Sequence, residues 1–230
     1  MDNGTDLVKT ALLCQGLICI HEYFKNGNTA EQQTAQKADA LWKGVEWNWF
    51  TQGENVLYWH WSSEFNFEIN LPIVGYNEDL IAYIFGAASP THPIDAAVYH
   101  EGCLQNGAIK SKAQQYNIPV LLNHGGASDS VGPLFWVYYS YLTLDPRGLI
   151  DLYANYWNVV HNHTQIVLEH CIQNPNEFSG YSDKNSGLPQ VILETQTGVT
   201  AILIKVQRTI EGLLLQLQHL LHSHILQRRL

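Results

Sequence analysis

Residues 6–24 read Asp6-Leu-Val-Lys-Thr-Ala-Leu-Leu-Cys-Gln-Gly-Leu-Ile-Cys-Ile-His-Glu-Tyr-Phe24, and after a Lys-Asn-Gly linker the chain resumes as Asn28-Thr-Ala-Glu-Gln-Gln-Thr-Ala-Gln-Lys-Ala-Asp-Ala-Leu-Trp-Lys-Gly44. In the first stretch Leu7, Leu12, Leu13, Leu17 and Ile20 recur at helical spacing and predict a broad apolar stripe facing a core. The second opens with Thr29-Ala-Glu-Gln32, a T-x-x-Q capping box, and reads as a helix to about Gly44. These two successive helices set the expectation of a helical fold.

Downstream, Val56–Trp61 and Glu68–Ile73 read as short strand-like segments around Ser62-Ser63, a candidate β-hairpin. Asn77 is placed to cap a helix running to about Gly86. Ser89-Pro-Thr-His-Pro93 and Asn123-His-Gly-Gly-Ala127 are loops, because paired Pro or Gly interrupts both regular structures. Pro133 suits the first turn of a helix to Leu142. Asp145-Pro-Arg-Gly148 is a turn, and Leu149–Gln173 reads as largely helical. Helices joined by decorated loops, with little strand, predict an all-α architecture with a short hairpin near residues 56–73.

The chain has 230 residues, 46% hydrophobic and 14% charged, enough for one globular core. With 12 Lys and Arg against 21 acids the formal charge is -9, which excludes a basic nucleic-acid face. No stretch is long and apolar enough to span a membrane. Cys14, Cys19, Cys103 and Cys171 match neither a zinc pattern nor a dense disulfide framework, and buried free thiols are expected. His161, His163 and His170 diverge on a helix, so no metal site is expected from them. No phosphate loop or nucleophile elbow appears, and no cofactor is implied.

Aromatic residues crowd residues 42–67: Trp42, Trp47, Trp49, Phe50, Tyr58, Trp59, Trp61, Phe65 and Phe67. Such density serves a core or a carbohydrate site, where ring faces pack against sugar C–H faces. The character changes near Leu188: every Trp, Tyr and Phe lies before it, and the remaining tail is Leu-rich and net positive. Taken at face value, Thr200–Leu230 is an amphipathic helix for a partner or a membrane surface.

From Asp2 to about Leu188 the chain resembles the glycoamylase-like family, which includes glycoside hydrolase family 144. The resemblance rests on Asp2–Ala11, Gly53-Glu-Asn-Val-Leu-Tyr-Trp-His-Trp-Ser62, Leu71-Pro-Ile-Val-Gly-Tyr-Asn-Glu78 and Ser89-Pro-Thr-His-Pro-Ile94. Val98-Tyr-His-Glu-Gly102, Gly132-Pro-Leu-Phe135 and Leu144-Asp-Pro-Arg-Gly-Leu149 follow in the family's order.

The resemblance implies an (α/α)6 toroid whose cleft accepts β-1,2-linked glucan or gluco-oligosaccharide and cuts it with inversion. Inverting chemistry needs a protonated carboxyl for the leaving oxygen and an ionised one for water, about 6.5–9.5 Å apart. Glu78 matches the family's general acid, and Asp2 and Asp6 match its other functional acids. On a helix the i, i+4 spacing of Asp2 and Asp6 would put both on one face. Trp59, Trp61 and Tyr76 are expected to wall the acid, and with Asn77 and His92 to bind sugar. A non-catalytic glycan-binding or interaction module is the alternative.

The family's Gly-Gly-Pro-Leu-Phe has Val131 for its first Gly, Tyr138 replaces a usual His, and Ser186-Gly-Leu188 replaces Trp-Gly-Leu. The resemblance further implies a fragment, cut at both ends, of weak or no activity. Back-translated one base out of phase, residues 189–230 admit the family's own continuation, including G-V-I-x-P-T-A-A-L. An out-of-frame tail is therefore expected, and the encoding DNA decides it.

Overall fold

The structure is a computed structural model that describes residues 4–124 and 129–183. Asp2 and the tail after residue 188 lie outside the described residues. The elements in chain order are β1 (Thr5–Asp6), α1 (Leu7–Phe24), α2 (Thr29–Lys43), β2 (His60–Trp61), α3 (Leu80–Ala88), β3 (Gln114–Gln115), β4 (Ile118–Pro119), α4 (Phe135–Tyr138) and α5 (Tyr156–Gln173). The fold is predominantly helical, with two small antiparallel strand pairs.

Helices α1 and α2 form where expected and pack together as a hairpin, but their chemistry differs in two ways. The cap of α2 is Asn28, whose Oδ1 accepts from Ala30 N at 3.0 Å and Glu31 N at 3.1 Å. Glu31 returns the favour by accepting from Asn28 N at 2.7 Å, so the box is N-x-x-E and Thr29 is already helical. On α1 the buried face is Leu7, Val8, Ala11, Cys14 and Gln15, whereas Leu13 is 62% and Ile20 38% exposed. The predicted stripe therefore meets the core only in part: Leu7 is buried and Leu12 packs against the core, whereas Leu13 and Ile20 face outward. Ala11 and Cys14 join the main core cluster, while α2 buries Ala35 and Ala38, and His21 Nδ1 of α1 meets Ala35 O at 3.2 Å.

The expected hairpin at residues 56–73 is realised as two isolated antiparallel bridges, Tyr58 opposite Pro72 and Ser62 opposite Asn66, with Trp59 N donating to Leu71 O and Ile73 N to Leu57 O. The chain then swings β2 onto β1 instead, pairing Asp6 with His60 and Thr5 with Trp61. Leu7 N donates to Trp59 O at 2.9 Å and ties the start of α1 to the same ribbon.

Helix α3 is the centre of the core: Leu80, Ile81, Ala82, Tyr83, Phe85 and Gly86 are all buried. Trp47 stacks on Phe85, with centroids 5.9 Å apart. Tyr83 staples the 57/73 bridge to this helix, its hydroxyl donating to Ile73 O at 2.7 Å and accepting from Leu57 N at 3.1 Å. Close packing continues at Gly102, where an added Cβ would lie 2.6 Å from Asn55 O, so only glycine fits without backbone movement.

The helix expected from Pro133 to Leu142 is broken. Four residues are α-helical and Tyr139–Tyr141 tighten into a 3₁₀ turn. Likewise α5 starts at Tyr156 rather than Leu149. Asp151 Oδ1 accepts from Tyr153 N and Ala154 N, an Asx turn that holds residues 149–155 out of helix. Among the described residues no helix is long and apolar enough to cross a membrane.

Tyr83→Phe removes the hydroxyl that satisfies two buried backbone groups. The expected loss is about 1–3 kcal/mol of unfolding free energy, read as a lowered urea midpoint. Tyr138→Phe, at a 38% exposed position, is expected to leave the midpoint nearly unchanged.

Candidate active site

Glu78 sits in the turn that feeds α3, and the turn is pinned at four points. Gly75 N donates to Cys103 O at 3.2 Å and Tyr76 N to Asn123 O at 2.9 Å. Gly75 has φ +90°, a conformation that glycine adopts without penalty. Asn77 Oδ1 accepts from Asp79 N at 2.9 Å in an Asx turn, so Asn77 shapes the approach and α3 begins at Leu80 rather than directly after Asn77. Buried Ser140 closes the turn: its Oγ donates to Glu78 O at 3.0 Å and accepts from Ile81 N at 3.2 Å.

The carboxyl of Glu78 is partly buried, and its Oε2 is enclosed without a hydrogen-bond partner. Burial pushes its pKa up, its own backbone bond pulls back, and the negative charge of Asp6 pushes up again. Asp79 is pushed up to about 7, first by burial and then by the charge of Glu78, with an Asn77 side-chain bond opposing. The positive end of α3 favours ionisation of both, so here desolvation outweighs the helix dipole.

Asp6 is the N-cap of α1, not a helical residue: its backbone is extended and its Oδ1 accepts from Lys9 N at 3.0 Å. The i, i+4 argument for Asp2 and Asp6 therefore does not hold, because Asp6 precedes the helix. The fold instead brings Asp6 toward Glu78 and Asp79, since its charge acts on both.

The expected sugar-binding residues separate. Tyr76 is 2% exposed, its ring between His124 and Tyr156 and its hydroxyl 3.1 Å from that of Tyr141. It supports the turn from beneath and offers no surface to a ligand. Trp59 is half-buried and lies beside His60, with centroids 5.7 Å apart. Trp61 pairs with Thr5 whereas Asp6 pairs with His60, and successive ladder positions face opposite sides. The Trp61 side chain therefore lies on the face away from Asp6, edge-on to the 53% exposed Trp49 at 6.4 Å. His92 follows the far end of α3, whose nine residues span roughly 13 Å. Its own backbone N donates to Ser89 Oγ at 3.0 Å.

Sequence reasoning missed Asp79, Ser140, Asn123 and His124. Among the described residues four buried side-chain polar atoms lack partners: Trp47 Nε1, Glu78 Oε2, Asn123 Oδ1 and His124 Nδ1. The last three lie on two segments that the Tyr76 N to Asn123 O bond joins. His124 is 4% exposed and its pKa is pushed down to about 4 by burial, then by His163. The Asn123-His124 loop was visible in the sequence, but only the fold sets it against Glu78's turn.

The α5 histidines diverge. His163 Nε2 donates to Gly132 O at 2.7 Å, His170 Nδ1 meets Tyr116 OH at 2.7 Å, and His161 is exposed. A mainly apolar groove of about 340 Å³ runs beside α5, lined by Tyr116, Val131, Pro133, Ile166, Val167 and Cys171 among others. No Asp or Glu lines it, whereas Asp6, Glu78 and Asp79 act on one another at the start of α3.

A helical scaffold that holds a desolvated carboxyl beside an acidic neighbour has the minimum equipment of a glycoside-cleaving site. Residues 70–195 match the Glycoamylase family model, described as "Putative glucoamylase". The chain belongs to this glycoamylase family. It is 34% identical over 208 residues to the exo beta-1,2-glucooligosaccharide sophorohydrolase (non-reducing end) of Parabacteroides distasonis, covering 81% of this chain and 28% of that protein. Its structure is similar to the endo-beta-1,2-glucanase from Chitinophaga pinensis in complex with sophorotriose and glucose: 52% identity, TM-score 0.76, 79% of this chain and 43% of that one. The beta-1,2-glucanase from Parabacteroides distasonis follows at 32% identity and TM-score 0.71, with 79% and 28% covered. The chain thus spans less than half the length of these relatives.

Asp79→Asn tests the electrostatics. A carboxyl whose folded pKa is raised stabilises fully below its unfolded value of 3.8 and loses that contribution as pH rises through about 7. The Tm of the Asn variant is expected to match wild type near pH 4 and exceed it near pH 8. An equal difference at both pH values is the opposing result.

Proposed function

We propose that this chain carries the acid side of an inverting glycoside-hydrolase site for β-1,2-linked glucan, set in part of an (α/α)6 toroid. The observation that carries this reading is Glu78, a carboxyl raised by burial and by the charge of Asp6. Glu78 would protonate the leaving glycosidic oxygen. Asp6, together with Asp2 of the same amino-terminal segment, would hold water or sugar hydroxyls on the ionised side. The substrate class follows the relatives, whose names specify β-1,2-glucan or its oligosaccharides.

The toroid is supported by apolar surface on the α1/α2 hairpin: Leu13, Ile20, Tyr23 and Leu41 are exposed, as a hairpin between neighbours in a ring would require. Full activity belongs to the whole family domain. The chain as given covers less than half of its relatives' length and is expected to turn over slowly.

A second reading, a glycan-binding module without turnover, is favoured by the exposed Trp49 set edge-on against Trp61.

Reducing-end release from linear β-1,2-glucan separates the two. Slow release is expected from the full chain, with none from starch. Glu78→Gln is expected to lower the rate at least a hundredfold while sophorotriose binding by calorimetry is kept. Binding with no release above blank in wild type, or release unchanged in Glu78→Gln, favours the binding module.

A further inference from the structure

Gln15 lies in the middle of α1, on the core face, and is 2% exposed. An apolar residue would ordinarily fill such a position, since a buried amide is costly unless both ends are paired. Both are paired here, and to one segment. Nε2 donates to Tyr139 O at 3.0 Å, while Oε1 accepts from Thr143 N at 3.1 Å and Thr143 Oγ1 at 2.8 Å.

The same five residues grip the Glu78 turn from their other side. Ser140, 1% exposed, donates to Glu78 O and accepts from Ile81 N, and Tyr141 OH meets Tyr76 OH. Residues 139–143 thus form a brace. One end is fixed to α1 nine residues past Asp6, roughly 13 Å along a stiff helix. The other holds the peptide of Glu78 itself.

We propose that Gln15 and Ser140 are positioning residues that fix the spacing between the Asp6 and Glu78 carboxyl groups. The relevance to catalysis rests on the reading of Glu78 and Asp6 given above. Neither residue touches the carboxyls. Each acts through backbone that carries them, and the brace closes a loop of covalent chain and hydrogen bonds from Asp6 through α1 to Glu78. A buried, fully satisfied network of this kind specifies one arrangement, because any other leaves a polar group unpaired.

The alternative is that these bonds only satisfy the peptide groups of a broken helix. Titration of the Glu78 carboxyl by carbon-13 NMR in the full chain distinguishes the two. In the wild-type background Asp6→Asn is expected to lower the Glu78 pKa. With Ser140→Ala or Gln15→Met already present, that lowering is expected to shrink by at least half. Val137→Ala, which loosens the same segment without touching the brace, is expected to preserve it. Asp6→Asn without effect in wild type, full coupling in both brace variants, or equal loss in Val137→Ala overturns the proposal.

Glucan turnover is read separately. Under the enzymatic reading Ser140→Ala lowers kcat roughly tenfold or more with KM little changed. A coupling lost in Ser140→Ala but no turnover in wild type removes the enzymatic reading and leaves the brace standing.

Discussion

A helix that is apolar on every side has to be enclosed on every side, and α3 imposes that demand on the rest of the molecule. Leu80, Ile81, Tyr83 and Phe85 point in different directions and are all buried. The α1/α2 hairpin, the Trp47 turn, the 57/73 bridge and residues 134–141 are the walls that meet them. Enclosure also removes water from the first turn of α3, whose amides have no partner within the helix. Ser140 supplies one to Ile81 N, and in doing so fixes Glu78 O. The site is thus a consequence of how a buried helix begins.

The same geometry explains why the acidic residues gather there. Two chain segments arrive at helix starts, Asp6 as the cap of α1 and Asn77-Glu78-Asp79 before α3, and acids are common at such positions because the dipole favours them. Ordinarily the dipole keeps them ionised. Here burial and mutual repulsion act the other way, raising Glu78 and bringing Asp79 to about 7.

What the sequence made legible were the local signals. Helices α1 and α2 followed from periodicity and caps, with the cap displaced by one residue because Asn28 outcompetes Thr29 for the amides of Ala30 and Glu31. Periodicity placed Leu7 correctly but put the exposed Leu13 and Ile20 on the buried face of α1, since a helix apolar around most of its circumference is oriented by its neighbours. Tyr76 looked like a sugar platform because an aromatic beside a candidate acid fits both roles. Only its enclosure by His124, Tyr156 and Tyr141 separates them. Gln15 and Ser140 could not be found at all, because their partners lie 124–128 and 59–62 residues away in sequence. Glu78 was singled out through a motif resemblance, with Trp59, Trp61 and Tyr76 expected to wall it, whereas the turn contacts from Cys103, Asn123 and Ser140 were not legible beforehand.

An acid must hold its proton until the leaving group needs it, and its partner must give up its own. Asp6 lies at the start of α1, where Lys9 N donates to it at 3.0 Å and the Lys9 ammonium stands 3.3 Å away. Glu78 has a buried oxygen with no donor, which favours the neutral form. The charge of Asp6 then raises Glu78 further, so the two environments are divided. Such a division weakens quickly if the two drift apart, because screening by water grows with each ångström of separation. The proposed brace at residues 139–143 would supply the rigid span between α1 and the Glu78 turn that such electrostatics need.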